Sequence, residues 1–452
     1  MREDRERGRR ESVEEMLSER PASVGNMDAV EYRDGYRGDG EQMKRQKTDG
    51  HERADYKSKL LVGLALLASV LDAAGSSRVE RLPTPASDGS STPFLAASET
   101  GLHLSWLEKT AEGHALRYAR SDGARFTEPA TIRASDRFFA NWADFPSVVP
   151  FGDGRLAAHW LEKSAAGTYE YDVLISISDD GGRTWSPGVK PHRDGILSEH
   201  GFVSLVADGK GFRAVWLDGR NFKKDAADNE MALMETTFDG AAFEPETALD
   251  ARVCECCQTA MAAVDGGLFV AYRDRSPQEI RDIGTVRFTS GPSGRWSEPR
   301  TFVEDGWHLT GCPVNGPQLA SSGKQVALAW FTASKDAPRV QVIFSADGGE
   351  TFGAPIRLDT RPPLGRVDVE LAGDGAIVSW LGRAERGGEV LARRVSTNGE
   401  LGEIVTVAST GADRTSGFPR IASFEGRVYV AWTESTSRQG PTRIQLGRLD
   451  SE

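Results

Sequence analysis

The chain has 452 residues, among them 49 glycines, 21 prolines and 10 tryptophans, and carries a formal net charge of −12. That length suits one large core, and the glycine and proline punctuate it for many turns. The acidic balance excludes a nucleic-acid partner, which needs a basic stripe, but leaves room for a local basic pocket holding a small anion.

Residues 1–56 are densely charged and poor in large apolar side chains, so they are expected to form a charged extension without a core. Residues 57–75, "KSKLLVGLALLASVLDAAG", place two lysines before an apolar run and small residues at Ala73, Ala74 and Gly75. This is the pattern of a secretory signal and predicts export to the periplasm or beyond. The run is short for a stable membrane span, although a single anchor helix is the alternative. No cysteine follows it, so a lipid-modified N-terminus is not indicated, and Met43 offers a second possible start of translation.

From residue 76 onward no long helical period occurs. Short apolar runs instead end in an aromatic residue: Trp106, Trp160, Trp216, Tyr272, Trp330, Trp380 and Trp432, between 50 and 58 residues apart. Each is preceded by another apolar run and followed by a third and a fourth. Four short strands per unit of about fifty residues predict an all-β propeller of four-stranded blades over residues 76–452. Seven blades fit the count, and six is the alternative if one unit is degenerate. The last unit lacks a fourth strand, and "SRVERLPTP", residues 77–85, is expected to supply it and close the ring.

Two turns stand out, "SDDGGRTW" at 178–185 and "SADGGETF" at 345–352. In each an aspartate, Asp180 or Asp347, can fold its carboxylate onto the N–H groups ahead, and Ser178 and Ser345 open the turn. Gly182 and Gly349 allow positive φ, while Trp185 and Phe352 anchor the turn by burial. None of these is a nucleophile or a base, so the reading is architectural. The turns resemble the Asp boxes of the sialidase superfamily, and the resemblance extends over residues 77–452. It implies a propeller whose Asp-box face lies away from the active site. It also implies glycoside hydrolysis with three arginines on the substrate carboxylate, a Tyr nucleophile paired with a Glu, and an Asp acid/base. The Arg-Ile-Pro motif that brings the first arginine is not found, and "FPRIAS" around Arg420 has another order in the last unit. None of the family's catalytic positions is therefore carried over.

If the Asp turns join strands three and four, the other face is built by the loops between strands two and three and between blades. Those loops hold the candidate ligand-binding residues: Asp144, His200, Asp218, Arg220, Asn221, His308, Asn315, Arg366, Asp368 and Arg414. The densest is "YRDRSPQEIRDIG", with Arg273, Asp274, Arg275, Glu279, Arg281 and Asp282. Alternating Arg and Asp is either an anion clamp of bidentate guanidinium forks or a salt-bridged seam between blades. Tyr169 and Tyr171, beside Glu170, are the loop tyrosines available as a nucleophile. Adjacent residues of a strand face opposite ways, which argues against a pair made with Glu170.

Cys254, Cys256, Cys257 and Cys312 all fall on this same face. In an exported chain they predict disulfides, with Cys312 bonded into the "CECC" cluster. A soft metal held by these thiols with His308 is the alternative; no other cofactor is expected. The acidic loop 225–230 is a weaker calcium candidate. The function expected is that of an exported, monomeric, sialidase-like propeller acting on or binding an anionic glycan or similar polar ligand in a central pocket. A non-catalytic cell-envelope propeller that binds a protein partner is the rival, and a metal or redox site at the cysteines is the third reading.

Overall fold

The structure, a computed structural model, describes residues 79–222, 230–291, 294–436 and 440–449. The charged extension, the signal-like segment and most of the acidic loop at 225–230 lie outside the described residues. The regular structure described is all strand apart from two single-turn 3₁₀ segments. Among the described residues no helix is long and apolar enough to cross a membrane.

Seven antiparallel sheets follow one another along the chain. The first blade runs through Ser90–Ser98, Gly101–Thr110, Gly113–Ser121 and Ala130–Ser135, and the sixth through Pro363–Ala372, Gly375–Arg383, Gly388–Ser396 and Leu401–Thr410. The second blade has three regular strands, its fourth position reduced to a bridge between Ile175 and Val189. The seventh takes Arg420–Phe424, Arg427–Ser435 and Thr442–Leu449, and its outer place is filled by Val79–Leu82 from the start of the described chain. Val79 pairs with Leu449 and Leu82 with Leu446, so the ring is closed by its N-terminal strand.

The repeated aromatics explain why the sheets stand as a ring. Each lies on the second strand of its blade and is fully buried. Trp106 packs between blades seven and one, Trp160 between one and two, Trp216 between two and three, and Tyr272 between three and four. Trp330, Trp380 and Trp432 continue the series around the circle. Every seam thus holds one aromatic contributed by the later blade. Burying such a side chain removes ~150–250 Å² from water, or ~4–6 kcal/mol of driving force per seam. A lone blade would leave that surface wet on both faces.

The Asp turns complete the seams from below. Asp180 Oδ1 accepts from the N–H groups of Arg183 at 3.0 Å and Thr184 at 2.9 Å, while Ser178 Oγ accepts from Gly182 N at 2.8 Å. Asp347 and Ser345 repeat these bonds with Thr351 and Gly349. Gly182, at φ 88°, lies against the ring of Tyr118 in the preceding blade, so close that a Cβ would sit 2.0 Å from it. Gly349 meets Phe269 in the same way. These glycines are fixed by a backbone-to-aromatic approach, and the turns carry no chemistry.

Removing Val79–Leu82 should leave Thr442–Leu449 as an unpaired edge. The expected outcome is a lower melting temperature and concentration-dependent association, read by calorimetry and light scattering. An unchanged melting point would mean that closure does not depend on this strand.

Candidate functional site

The innermost strands of all seven blades surround a central channel of about 350 Å³. Its wall is polar over much of its area, with Ser147, Ser204, Gln258, Thr259, Gln318 and Ser423 among the lining residues. Three carboxyl groups reach it: Asp144 just before the second blade, and Asp368 and Glu370 on the first strand of the sixth. Asp368 and Glu370 are two residues apart on one strand, and the period of two puts both on the same face of it, where Asp368 meets Arg420 and Ile421 of blade seven.

Burial raises all three carboxyls above their ordinary range. Burial pushes Asp144 up to about 7, against the opposing bonds from Phe202 N at 2.7 Å and the Tyr171 hydroxyl at 3.2 Å. Burial, with the neighbouring Asp368 charge, pushes Glu370 up to about 8. Asp368 is also raised by burial, although Arg420 lies 3.0 Å from its Oδ2 and Ile421 N donates to it at 2.8 Å. Arg420 is the one guanidinium among the lining residues, and it is already paired.

Behind Asp144 sits a tyrosine–glutamate pair. The Tyr171 hydroxyl donates to Glu199 Oε1 at 2.6 Å, and Phe139 stacks on its ring at 4.0 Å. Burial lifts Glu199 to about 8 and Tyr171 far above its ordinary range. Tyr171 is 1 % exposed and does not line the channel, so as placed it is closed to a ligand. The adjacent Glu170 instead accepts from Gly167 N at 2.7 Å. Tyr169 packs at the edge of the core between blades two and three. Glu199 and Glu370 were not singled out in the sequence. Glu199 neighbours the flagged His200, whereas Glu370 lies inside a strand and gives no local signal.

The other candidate residues divide plainly. Arg273 is 1 % exposed and spends its guanidinium on three backbone carbonyls, of Asn315 at 2.9 Å, Arg281 at 2.5 Å and Phe331 at 2.7 Å. Arg366 is bound to Ser416 Oγ and the carbonyls of Asp413 and Gly417, and Asn315 Oδ1 accepts from its N–H at 2.6 Å. Arg414 lies over the Trp142 ring at 5.9 Å. Arg281 bridges Glu255 and Glu279, both at 2.8 Å, and Arg275 bonds the same two acids. Asp282 accepts from the N–H groups of Gly306 and Trp307, and Asp274 from Arg275 N. The guanidiniums of the alternating Arg–Asp loop are thus spent on Glu279 and the Arg281 carbonyl of the loop itself and on Glu255, Asn315 and Phe331 from elsewhere, and none of them lines the channel.

Asp218 accepts from Trp216 Nε1 and from Arg220, both at 2.7 Å. His200 stacks on His192 with ring centroids 3.9 Å apart and points Nε2 at Asp194, 3.2 Å away. Asn221 and His308 are exposed. Of the sixteen residues on the expected ligand face, Asp144 and Asp368 line the channel.

The cysteines gather at the seam between blades three and four. Cys254, Cys256 and Cys257 are buried, and Cys254 Sγ lies 4.0 Å from that of Cys256 and 3.5 Å from that of Cys257. The expected disulfide is not formed: all four thiols are free, and 3.5 Å far exceeds an S–S bond of about 2.05 Å. His308 is not among the groups that meet there.

No family profile matches the sequence, and no curated protein does. Solved structures do resemble the chain. A protein of unknown function from Dyadobacter fermentans is 14 % identical over 84 % of this chain and 98 % of its own, at a TM-score of 0.49. Phage phi92 endosialidase is 11 % identical over 83 % and 69 %, at 0.44. The α-L-arabinanase of Penicillium chrysogenum is 12 % identical over 82 % and 97 %, at 0.43. Sialidases and related propeller glycosidases thus stand among the structural neighbours, with no residue matched through them.

Two outcomes follow from the site. Arg273→Ala strands three buried carbonyls and should cost at least ~3 kcal/mol in chemical denaturation. Arg273→Lys should not restore it, since an ammonium cannot span the three acceptors. A stable alanine variant would return Arg273 to ligand binding.

The second concerns pH. Folded-state values of about 7 for Asp144 and about 8 for Glu199 and Glu370 lie above the usual carboxyl range, so their stabilisation is present at low pH and lost as pH rises through 7 to 8. His103 and His192, depressed by burial to about 4, act oppositely, losing stability as pH falls below 6.5. Above about pH 6.5 these histidines no longer contribute, and the three carboxyls should lower the melting temperature toward about pH 8.5, outweighing the single opposing thiol of Cys254. Glu370→Gln should flatten that slope. A wild-type melting point constant over this interval would contradict the assignment.

Proposed function

We propose that the protein acts on a polar glycan bound in the central channel, cleaving a glycosidic bond with Glu370 as proton donor and Asp144 as the second carboxyl. The observation that carries this reading is the placement of raised-pKa acids from blades two and six on the wall of one polar cavity. Glycosidic cleavage needs such a pair, one acid protonated near neutrality to load the leaving oxygen and one carboxylate to activate water or attack carbon. Glu370 is partly exposed and keeps its proton to about 8, which suits the first role. Asp144 is anchored by Phe202 N and backed by the Tyr171–Glu199 pair, through which a proton can be exchanged.

The charge of the wall bears on the substrate. The one guanidinium on the wall is already paired with Asp368, so an anionic glycan finds no unpaired guanidinium there, and a neutral sugar fits better than the anionic glycan suggested by the sequence. The carboxylate clamp of a sialidase would need arginines that are here committed to backbone and acids.

The test is hydrolysis by the full chain of neutral aryl glycosides and oligosaccharides beside sialylated, sulfated and uronic-acid glycans. Turnover of a neutral substrate is expected, with kcat/KM falling as pH rises through about 8. Glu370→Gln should lower kcat by ~10²–10⁴ while the protein stays folded. Hydrolysis confined to sialosides would contradict the charge argument. Binding of a glycan or a protein with no turnover of any glycan would assign the channel to recognition.

A further inference from the structure

The four cysteines take no part in the channel chemistry, yet they are placed with more order than packing requires. Buried free cysteines usually behave as small apolar side chains scattered singly through a core. Here Cys254, Cys256 and Cys257 come from one turn that immediately precedes the first strand of blade four, and their sulfur atoms meet within 4.8 Å of one another. Cys256 and Cys257 are neighbours in sequence, and in extended chain they would face opposite ways. The turn at 255–256 brings both thiols to the same side. Cys312, from the loop ahead of blade five, is half-buried and packs against the same hydrophobic core as these three.

The spacing is that of a coordination shell. A tetrahedral ion with metal–sulfur bonds of about 2.3 Å separates its sulfurs by about 3.8 Å, and a trigonal one by about 4 Å. The two Cys254 separations, 3.5 and 4.0 Å, bracket these values, whereas a disulfide would need about 2.05 Å.

The surroundings supply the charge such a shell needs. Zinc(II) with four thiolates, and copper(I) with three, each leave two net negative charges to be balanced in a buried site. The Arg281 guanidinium acts on Cys254 and that of Arg273 on Cys257. Both arginines are held almost wholly buried by bonds to carbonyls and acids, so they face the sulfurs as fixed charges. We infer that Cys254, Cys256 and Cys257, with Cys312 as the available fourth ligand, form a site for one thiophilic closed-shell cation, zinc(II) or copper(I), at the seam between blades three and four. Binding replaces thiol protons by the metal, so each ligating cysteine releases one proton to solvent. The site clips the Cys254–Cys257 turn to the loop ahead of blade five, and it requires nothing of the channel reading.

Full-length protein prepared under reducing, anaerobic conditions tests the assignment. It is titrated with zinc(II) or with copper(I) against a chromophoric chelator, metal per chain is measured, and cobalt(II) replaces zinc to report thiolate charge-transfer bands. One equivalent of zinc or copper is expected, with the coordinating thiols protected from alkylation in the loaded form and affinity falling as pH is lowered. Loss even of an outer partner costs ~10–100-fold in metal affinity, so Cys256→Ser should weaken binding at least about tenfold. Cys312→Ser separates the ions: zinc lost with copper(I) retained marks a three-thiolate site, and both lost marks four. Because wild type carries the main readout, a variant that fails to fold does not obscure the result. A wild-type chain that binds neither ion at one equivalent, or whose mass and thiol count show a Cys254–Cys257 disulfide, overturns the proposal.

Discussion

The structure depends on polar side chains of one blade satisfying the backbone of the next around the inner rim. Seven sheets that splay from an axis cannot share strand ladders, so the first strand of each blade would present unpaired groups where the ring is tightest. Asp144 accepts from Phe202 N, Gln258 joins the Ala143 carbonyl to Gly316 N, and Asp368 accepts from Ile421 N. Thr259 Oγ1 donates to the Phe202 carbonyl, and Asn315 accepts from Arg366 N. Removing one member strands a partner in another blade, which ties the angular order of the ring to a few short side chains.

That requirement also shapes the channel. Asp144, Gln258, Thr259 and Asp368 lace the blades and also line it, so the two carboxyls are at once fasteners and channel groups. A carboxyl that accepts backbone N–H groups in a buried rim is pulled two ways: the bonds favour its charge and the burial opposes it. Burial wins at Asp144. Titratable acids on the axis therefore arise from the same geometry that assembles the ring.

Sequence made the architecture legible because its signals are local. An aromatic on each second strand, an Asp–Gly turn on strands three to four and alternating apolar runs recur within a few residues of one another, and all were found in place. The site was not legible, because convergence across blades leaves no local mark. Tyr171 takes its glutamate from position 199, twenty-eight residues on, and the strand alternation that ruled out the adjacent Glu170 gave no hint of that distant partner. The arginines of "YRDRSPQEIRD" fit a clamp and a salt-bridged seam equally well in sequence, because their acceptors include Glu279 of the same loop and Glu255, Asn315 and Phe331 from elsewhere. Glu370 was hidden by regularity, as one acid in an ordinary strand.

Closure by Val79–Leu82 has a consequence for how the chain is made. Val79 is opposite Leu449, so the first strand of the ring cannot take its place until the last has been synthesised. Blades one to six can stack in order as they emerge, but the rim between blades seven and one is joined late, across the whole length of the sequence. Until then Val79–Leu82 is a strand without a sheet. The two ends of the ring lie side by side at the outer edge of one blade, so joining them by a short linker and opening the chain at another blade boundary would keep the same sheets while exchanging which seam is sealed last.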